Sequence, residues 1–129
     1  MASDTLHEDP EKLGASVTDQ HRAIASIMEE LEAVDWYNQR AKATADADLR
    51  AILEHNRDEE KEHAAMTLEW LRRRDPALSR HLKTFLFSNG QVTGIEATMD
   101  AAGDADAPGP APTGDSLGIG SLRGEVGGR

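Results

Sequence analysis

Apolar residues in the first two-thirds of the chain recur at helical rather than strand intervals. Val17, Ile24, Ile27, Leu31 and Val34 follow one another at steps of three, four and seven, which places them along one face of a helix. This pattern predicts a first helix from Pro10 or Leu13 to Ala43. A second is expected from Asp46 to Arg73. Asp46 or Asp48 can cap its start, and Arg72, Arg73 and Arg74 suit the negative end of its dipole. Asp75-Pro76 ends it, because a residue before proline is pushed out of the helical region. A shorter third helix is expected from Pro76 through Leu78, Leu82, Phe85 and Leu86, stopped by Asn89-Gly90. A last helical turn can follow between Val92 and Met99. No strand pattern competes with these.

The expected fold class is therefore all-α. Two long helices separated by a few residues around Thr44-Ala45 make an antiparallel hairpin. A lone hairpin leaves much of its apolar stripe uncovered. The chain is thus expected to dimerise into a four-helix bundle with a second copy of itself.

Composition narrows the partners. At 129 residues the chain holds one compact domain at most. A formal charge of −10 argues against nucleic acid, which needs a basic surface, and favours cations. The absence of cysteine excludes thiolate metal sites and cysteine nucleophiles. No apolar run has the length of a membrane span, and residues 1–11 are polar and acidic, unlike a secretory signal, so a cytoplasmic protein is expected.

Several acidic residues fall on the apolar side of the helices. At about 100° per residue, Asn56, Glu59, His63, Met66 and Trp70 lie within about 40° of Ile52, with Glu60 about 80° away. Carboxylates on such a face are disfavoured unless paired or bound to metal. Glu60 and His63 stand at i and i+3, the Glu-x-x-His spacing of carboxylate-bridged di-iron bundles. On the first helix Glu30 borders the Ile27 and Val34 side, whereas Glu29 and Glu32 lie on the opposite edge near Trp36. A bundle site uses two such motifs and two further glutamates. This chain holds half of that set, so two chains would supply Glu30, Glu60 and His63 twice. Four carboxylates and two imidazoles suit iron or manganese better than structural zinc.

Blander readings exist. Glu59, Glu60 and Glu62 can form a solvated face paired with Arg57 and Lys61. Trp36, Trp70 and Met66 can be core or interface residues, and Tyr37 can either hydrogen-bond a ligand or simply pack. His21, His55 and His81 have no ligand spacing.

The remainder divides into a linker, residues 100–114, and a tail, 115–129, behind a helical domain of residues 1–99. The linker is rich in Ala, Gly and Pro. In the tail, Leu117, Ile119 and Leu122 alternate with Gly and Ser, as in a short tethered peptide that docks in another protein's groove. An incidental scatter of aliphatics is the alternative.

Three stretches, Met28 to Tyr37, His55 to Met66 and Leu68 to Arg73, resemble the encapsulated ferritins, and Ser116 to Arg123 is similar to the peptides that load cargo into encapsulin shells. The resemblance implies a two-helix hairpin with a short C-terminal helix, dimerising into a ferritin-like bundle and assembling as a ring, usually a decamer. It implies a ferroxidase that oxidises Fe(II) to Fe(III) at a di-iron site between two subunits, with Glu30, Glu60 and His63 of each as ligands. Glu29 and Glu32 match a point of metal uptake with Trp36 beside it, and Tyr37 matches a position just outside the ligands. The mineral would be stored by the shell, inside a cytoplasmic encapsulin nanocompartment. The rival function is a non-enzymatic, metal-binding helical cargo or scaffold of that shell. A rubrerythrin-type peroxidase is disfavoured by the lack of cysteine.

Overall fold

A computed structural model describes residues 5–105, and the side chains of residues up to 102. Among them are four helices and no strand: α1 Pro10–Ala43, α2 Ala47–Arg72, α3 Pro76–Phe85 and α4 Val92–Ala105. The chain divides after Pro76 into two units.

The first unit is the expected hairpin. Asp9 caps α1 by accepting the Glu11 N–H at 2.9 Å, and Pro10 occupies the first helical position, where it has no amide to leave unsatisfied. The helix is broken once, at Gly14 (φ 80°, ψ 168°), a conformation open essentially to glycine alone. The Thr18 hydroxyl donates to the Gly14 carbonyl at 2.8 Å and so covers part of the break.

The turn between the helices is closed from both sides. Thr44 is extended and its N–H reaches the Arg40 carbonyl. Asp46, not Asp48, is the cap of α2, accepting the Leu49 N–H at 2.8 Å. Arg50 reaches back to the end of α1, donating from Nη2 to the Thr44 carbonyl at 2.7 Å and from Nε to that of Ala41 at 3.3 Å. Carbonyls that a helix end leaves orphaned are thereby satisfied. Further along, the Arg57 guanidinium bonds the Asn38 side chain at 3.0 Å, as an antiparallel register requires.

Little is buried. The core residues among those described are Ala23, Ala41, Ala64 and Leu71. Three are alanines, so the helices can approach closely but hide little apolar area. Val17, Ile24 and Leu31, each seven residues on from the last, stay exposed on α1, as do Ile52 (57%) and Met66 (58%) on α2. Apolar positions repeated every seven residues are of the kind that helical bundles bury at their seams.

The last turn of α2 carries a compact ion cluster. Arg72 grips Glu69 with two bonds of 2.7 and 2.8 Å, and Arg73 adds one of 2.7 Å. The two guanidiniums push the Glu69 carboxyl down from 4.5 to about 2. A depressed folded-state pKa means stability that is fully present above about pH 4.5 and is lost as pH falls toward 2. Glu69→Gln should therefore lower the thermal midpoint modestly at neutral pH, and the gap to the parent should close on acidification. Melting curves between pH 7 and pH 2 check this; a gap that persists at pH 2 would remove the ion cluster as its cause.

The second unit holds α3 and α4. After Phe85 the chain passes through Phe87, a non-glycine residue at φ 62° that is 92% exposed, and Gly90 at φ 91°. α4 runs to Ala105, beyond residue 99, where the helical domain was expected to end and the linker to begin. Residues 106–114 of that linker and the whole tail, including Leu117, Ile119 and Leu122, lie outside the described residues. No described helix is long and apolar enough to cross a membrane.

Candidate metal centre

Glu30 on α1 meets Glu60 and His63 on α2 midway along the hairpin. One ligand atom from each lies within 4.8 Å of the other two, and all three side chains are half-buried. Among the described residues this is the cluster of three or more such side chains able to hold a metal ion. The i, i+3 spacing sets Glu60 and His63 one turn apart on the same side of α2, and Glu30 is brought across by the antiparallel register. His63 turns Nδ1 inward, 3.2 Å from Glu60 Oε1 and 3.7 Å from Glu30 Oε1.

The electrostatics are those of a site short of positive charge. Glu30 is raised above the ordinary carboxylate range, first by a hydrogen bond shared with Glu60, then by burial and by the Glu60 charge. Glu60 is lowered, chiefly by that shared hydrogen bond and also by His63. His63 is raised, chiefly by its hydrogen bond to Glu60 and further by the charges of Glu30 and Glu59. A bound cation would replace the proton these groups now share, so metal uptake releases protons.

The donor set fits iron or manganese: hard carboxylate oxygens with one imidazole and no sulfur. Three protein donors are half of the set that a dinuclear carboxylate centre uses. The solvated-face reading fails for Glu60. Arg57 and Lys61 pair with Asp58, at 2.9 and 3.3 Å, while Glu60 turns inward to His63. Glu59 pairs outward with His55 at 3.6 Å.

Glu29 and Glu32 do not join the cluster; Glu29 is exposed and Glu32 half-buried on α1. Trp36 is exposed and Tyr37 half-buried on α1. The structure adds a residue that the sequence reading passed over. Arg40 lies over both rings, its guanidinium carbon 5.9 Å from the Trp36 centroid and 5.6 Å from that of Tyr37. The signal was there, since Arg40 stands one turn beyond Trp36.

An antiparallel helical hairpin that pairs a Glu-x-x-His turn with a glutamate across the groove makes a ferritin-like helical unit carrying a carboxylate-rich group able to hold a metal ion. Residues 5–89 match the EncFtn-like family, and the chain belongs to it. It is 57% identical to the encapsulated ferritin-like protein of Rhodospirillum rubrum, over 98% of this chain and 93% of that protein. It is 46% identical to a ferritin-like protein of Thermotoga maritima, over 93% and 99%. It is 36% identical to the encapsulin nanocompartment cargo protein EncC of Myxococcus xanthus, over 76% and 79%. Among solved structures, protein NE0167 of Nitrosomonas europaea superposes with a TM-score of 0.66 at 57% identity, covering 67% of this chain and 96% of that one.

Proposed function

We propose that the protein is a ferroxidase working between two copies of itself inside an encapsulin shell. The observation that carries this reading is the convergence of Glu30, Glu60 and His63 within 4.8 Å. A twofold axis beside the cluster would double it to four carboxylates and two imidazoles, enough for two iron ions. The exposed seven-residue repeat on α1 supplies the apolar seam such a dimer needs. Dimers assembling as a ring, usually a decamer, follow from the family resemblance, as does the role of Leu117, Ile119 and Leu122 in docking to the shell protein.

Fe(II) is the substrate. Glu29 and Glu32 attract it, with Trp36 alongside. Glu60 of each chain bridges the two ions, while His63 and Glu30 complete the coordination of each and Tyr37 lies just outside the ligands. Carboxylates favour Fe(III) over Fe(II) through their charge, and their flexible bridging accommodates the change of ion. Two Fe(II) give up one electron each to dioxygen, and Fe(III) passes into the shell for storage as mineral.

The test is anaerobic addition of Fe(II) followed by air. Fe(III) absorbance should rise faster than in protein-free buffer, with saturation at two ions per pair of chains. Iron that binds but is not oxidised faster than in buffer would favour the metal-binding scaffold instead. Removing residues 114–129 should leave oxidation at the parent rate while abolishing loading into the shell, scored by co-purification. A truncated chain that still loads would overturn the docking role of the tail.

A further inference from the structure

Arg57 stands three residues after Glu54 and three before Glu60, and on a helix either spacing puts an acid within its reach. Further along α2 such a spacing is used: Glu69 and Arg72, three apart, bond at 2.7 Å. Arg57 passes over both acids. Its Nε and Nη2 bond the adjacent Asp58 at 2.9 and 3.5 Å, although sequence neighbours do not face one another on a helix. Its Nη1 donates to the Asn38 side chain across the hairpin at 3.0 Å. All three guanidinium nitrogens are thus engaged, none of them by Glu60. Lys61 is drawn to Asp58 as well, at 3.3 Å.

One carboxylate therefore holds both the arginine and the lysine that flank Glu60. These are contacts within a single chain. Arg57 and Asp58 lie about 140° and 120° around α2 from Ile52, in opposite senses, so neither stands on the face that the proposed dimer covers. A guanidinium fork matches a carboxylate in shape and charge. Placed on Glu60, it would occupy the oxygens that a metal ion needs and cancel the charge that draws the ion in.

We propose that Asp58 is a positioning residue, which holds Arg57 off Glu60 and so keeps the Glu30–Glu60 pair free for a cation. The inference rests on the reading above of Glu30, Glu60 and His63 as metal ligands. Without the Asp58 carboxylate, Arg57 keeps its bond to Asn38 and has two acids one turn away. Glu60, with Glu30 beside it, presents the greater negative potential, and the freed guanidinium turns there.

Fe(II) would be titrated without oxygen into the full parent chain, Asp58→Asn, Asp58→Glu, Arg57→Gln and the double variant Arg57→Gln, Asp58→Asn, with circular dichroism on each. Asp58→Asn should need several-fold more Fe(II) for half-saturation. Asp58→Glu, which still reaches both cations, should match the parent. In the Arg57→Gln background Asp58→Asn should cost nothing, because no guanidinium remains to compete. An equal loss in both backgrounds would make Asp58 a mere part of the acidic field and overturn the proposal. Parent affinity in Asp58→Asn would place Arg57 on Glu54 instead, and a loss accompanied by loss of helix would make Asp58 structural; either result overturns it alone. A parent chain that binds no Fe(II) would overturn the ligand reading of Glu30, Glu60 and His63, and this inference with it.

Discussion

His63→Ala and Glu60→Ala are each expected to bring Fe(II) oxidation down to the rate of protein-free buffer. The expectation follows from symmetry as much as from ligation. One substitution in the gene removes two donors from the proposed centre, and for Glu60 both bridges go at once. Loss of residues that merely support a ligand costs about 10–100-fold in affinity or activity, so loss of ligands in pairs should exceed about a hundredfold. Glu30→Ala should act in the same direction. Iron stoichiometry by anaerobic titration and the initial slope of Fe(III) absorbance measure both quantities. If all three variants oxidised Fe(II) at the parent rate, Glu30, Glu60 and His63 would not be the ligands.

Ile52→Glu is expected to abolish the same activity with every ligand still in place. Ile52 is 57% exposed on the single chain and stands on the α2 face that carries His63 and Met66. In a dimer its burial contributes about 1.5–3 kcal/mol, counted once for each chain. A carboxylate there must either be buried unpaired or keep the seam open, and the chain should elute as a monomer. Glu30, Glu60 and His63 then remain together, but only as three donors. Size-exclusion chromatography with light scattering, circular dichroism and iron titration separate the outcomes. A helical monomer that still bound and oxidised paired iron would show a complete centre within one chain, and the half-site account would be withdrawn.

The hairpin was legible because its signals are local. Pro10, Asp46 and Asp75-Pro76 bound the helices within a residue or two of the observed ends, and capping chemistry depends on near neighbours alone. The Glu60–His63 pair was legible for the same reason, being set by helical spacing. Glu30 could be placed on the right edge of α1 by angle, and the antiparallel register did the rest. The misses have different causes. Gly14 lies just ahead of the Val17–Val34 stripe, and periodicity carries no sign of the positive φ that breaks α1 there. α4 was expected to stop near Met99 because Gly and Asp in Ala101-Ala102-Gly103-Asp104-Ala105 suggest a linker; the alanines' high helix propensity weighs the other way, and the helix continues. The placing of Arg40 over Trp36 and Tyr37 is a matter of side-chain rotamer, which helical spacing permits but does not fix.

The near absence of an interior, three alanines and a leucine between two long helices, bears on how this polypeptide comes into being. In the proposed assembly, a chain with so little to hide on its own gains most of its apolar burial from its neighbour. In the proposed assembly the folding reaction is therefore second order, and the melting temperature belongs to the solution, climbing as the protein is concentrated. Newly made chains in dilute surroundings would linger half-formed, whereas confinement of many copies in a small volume would itself drive them to completion.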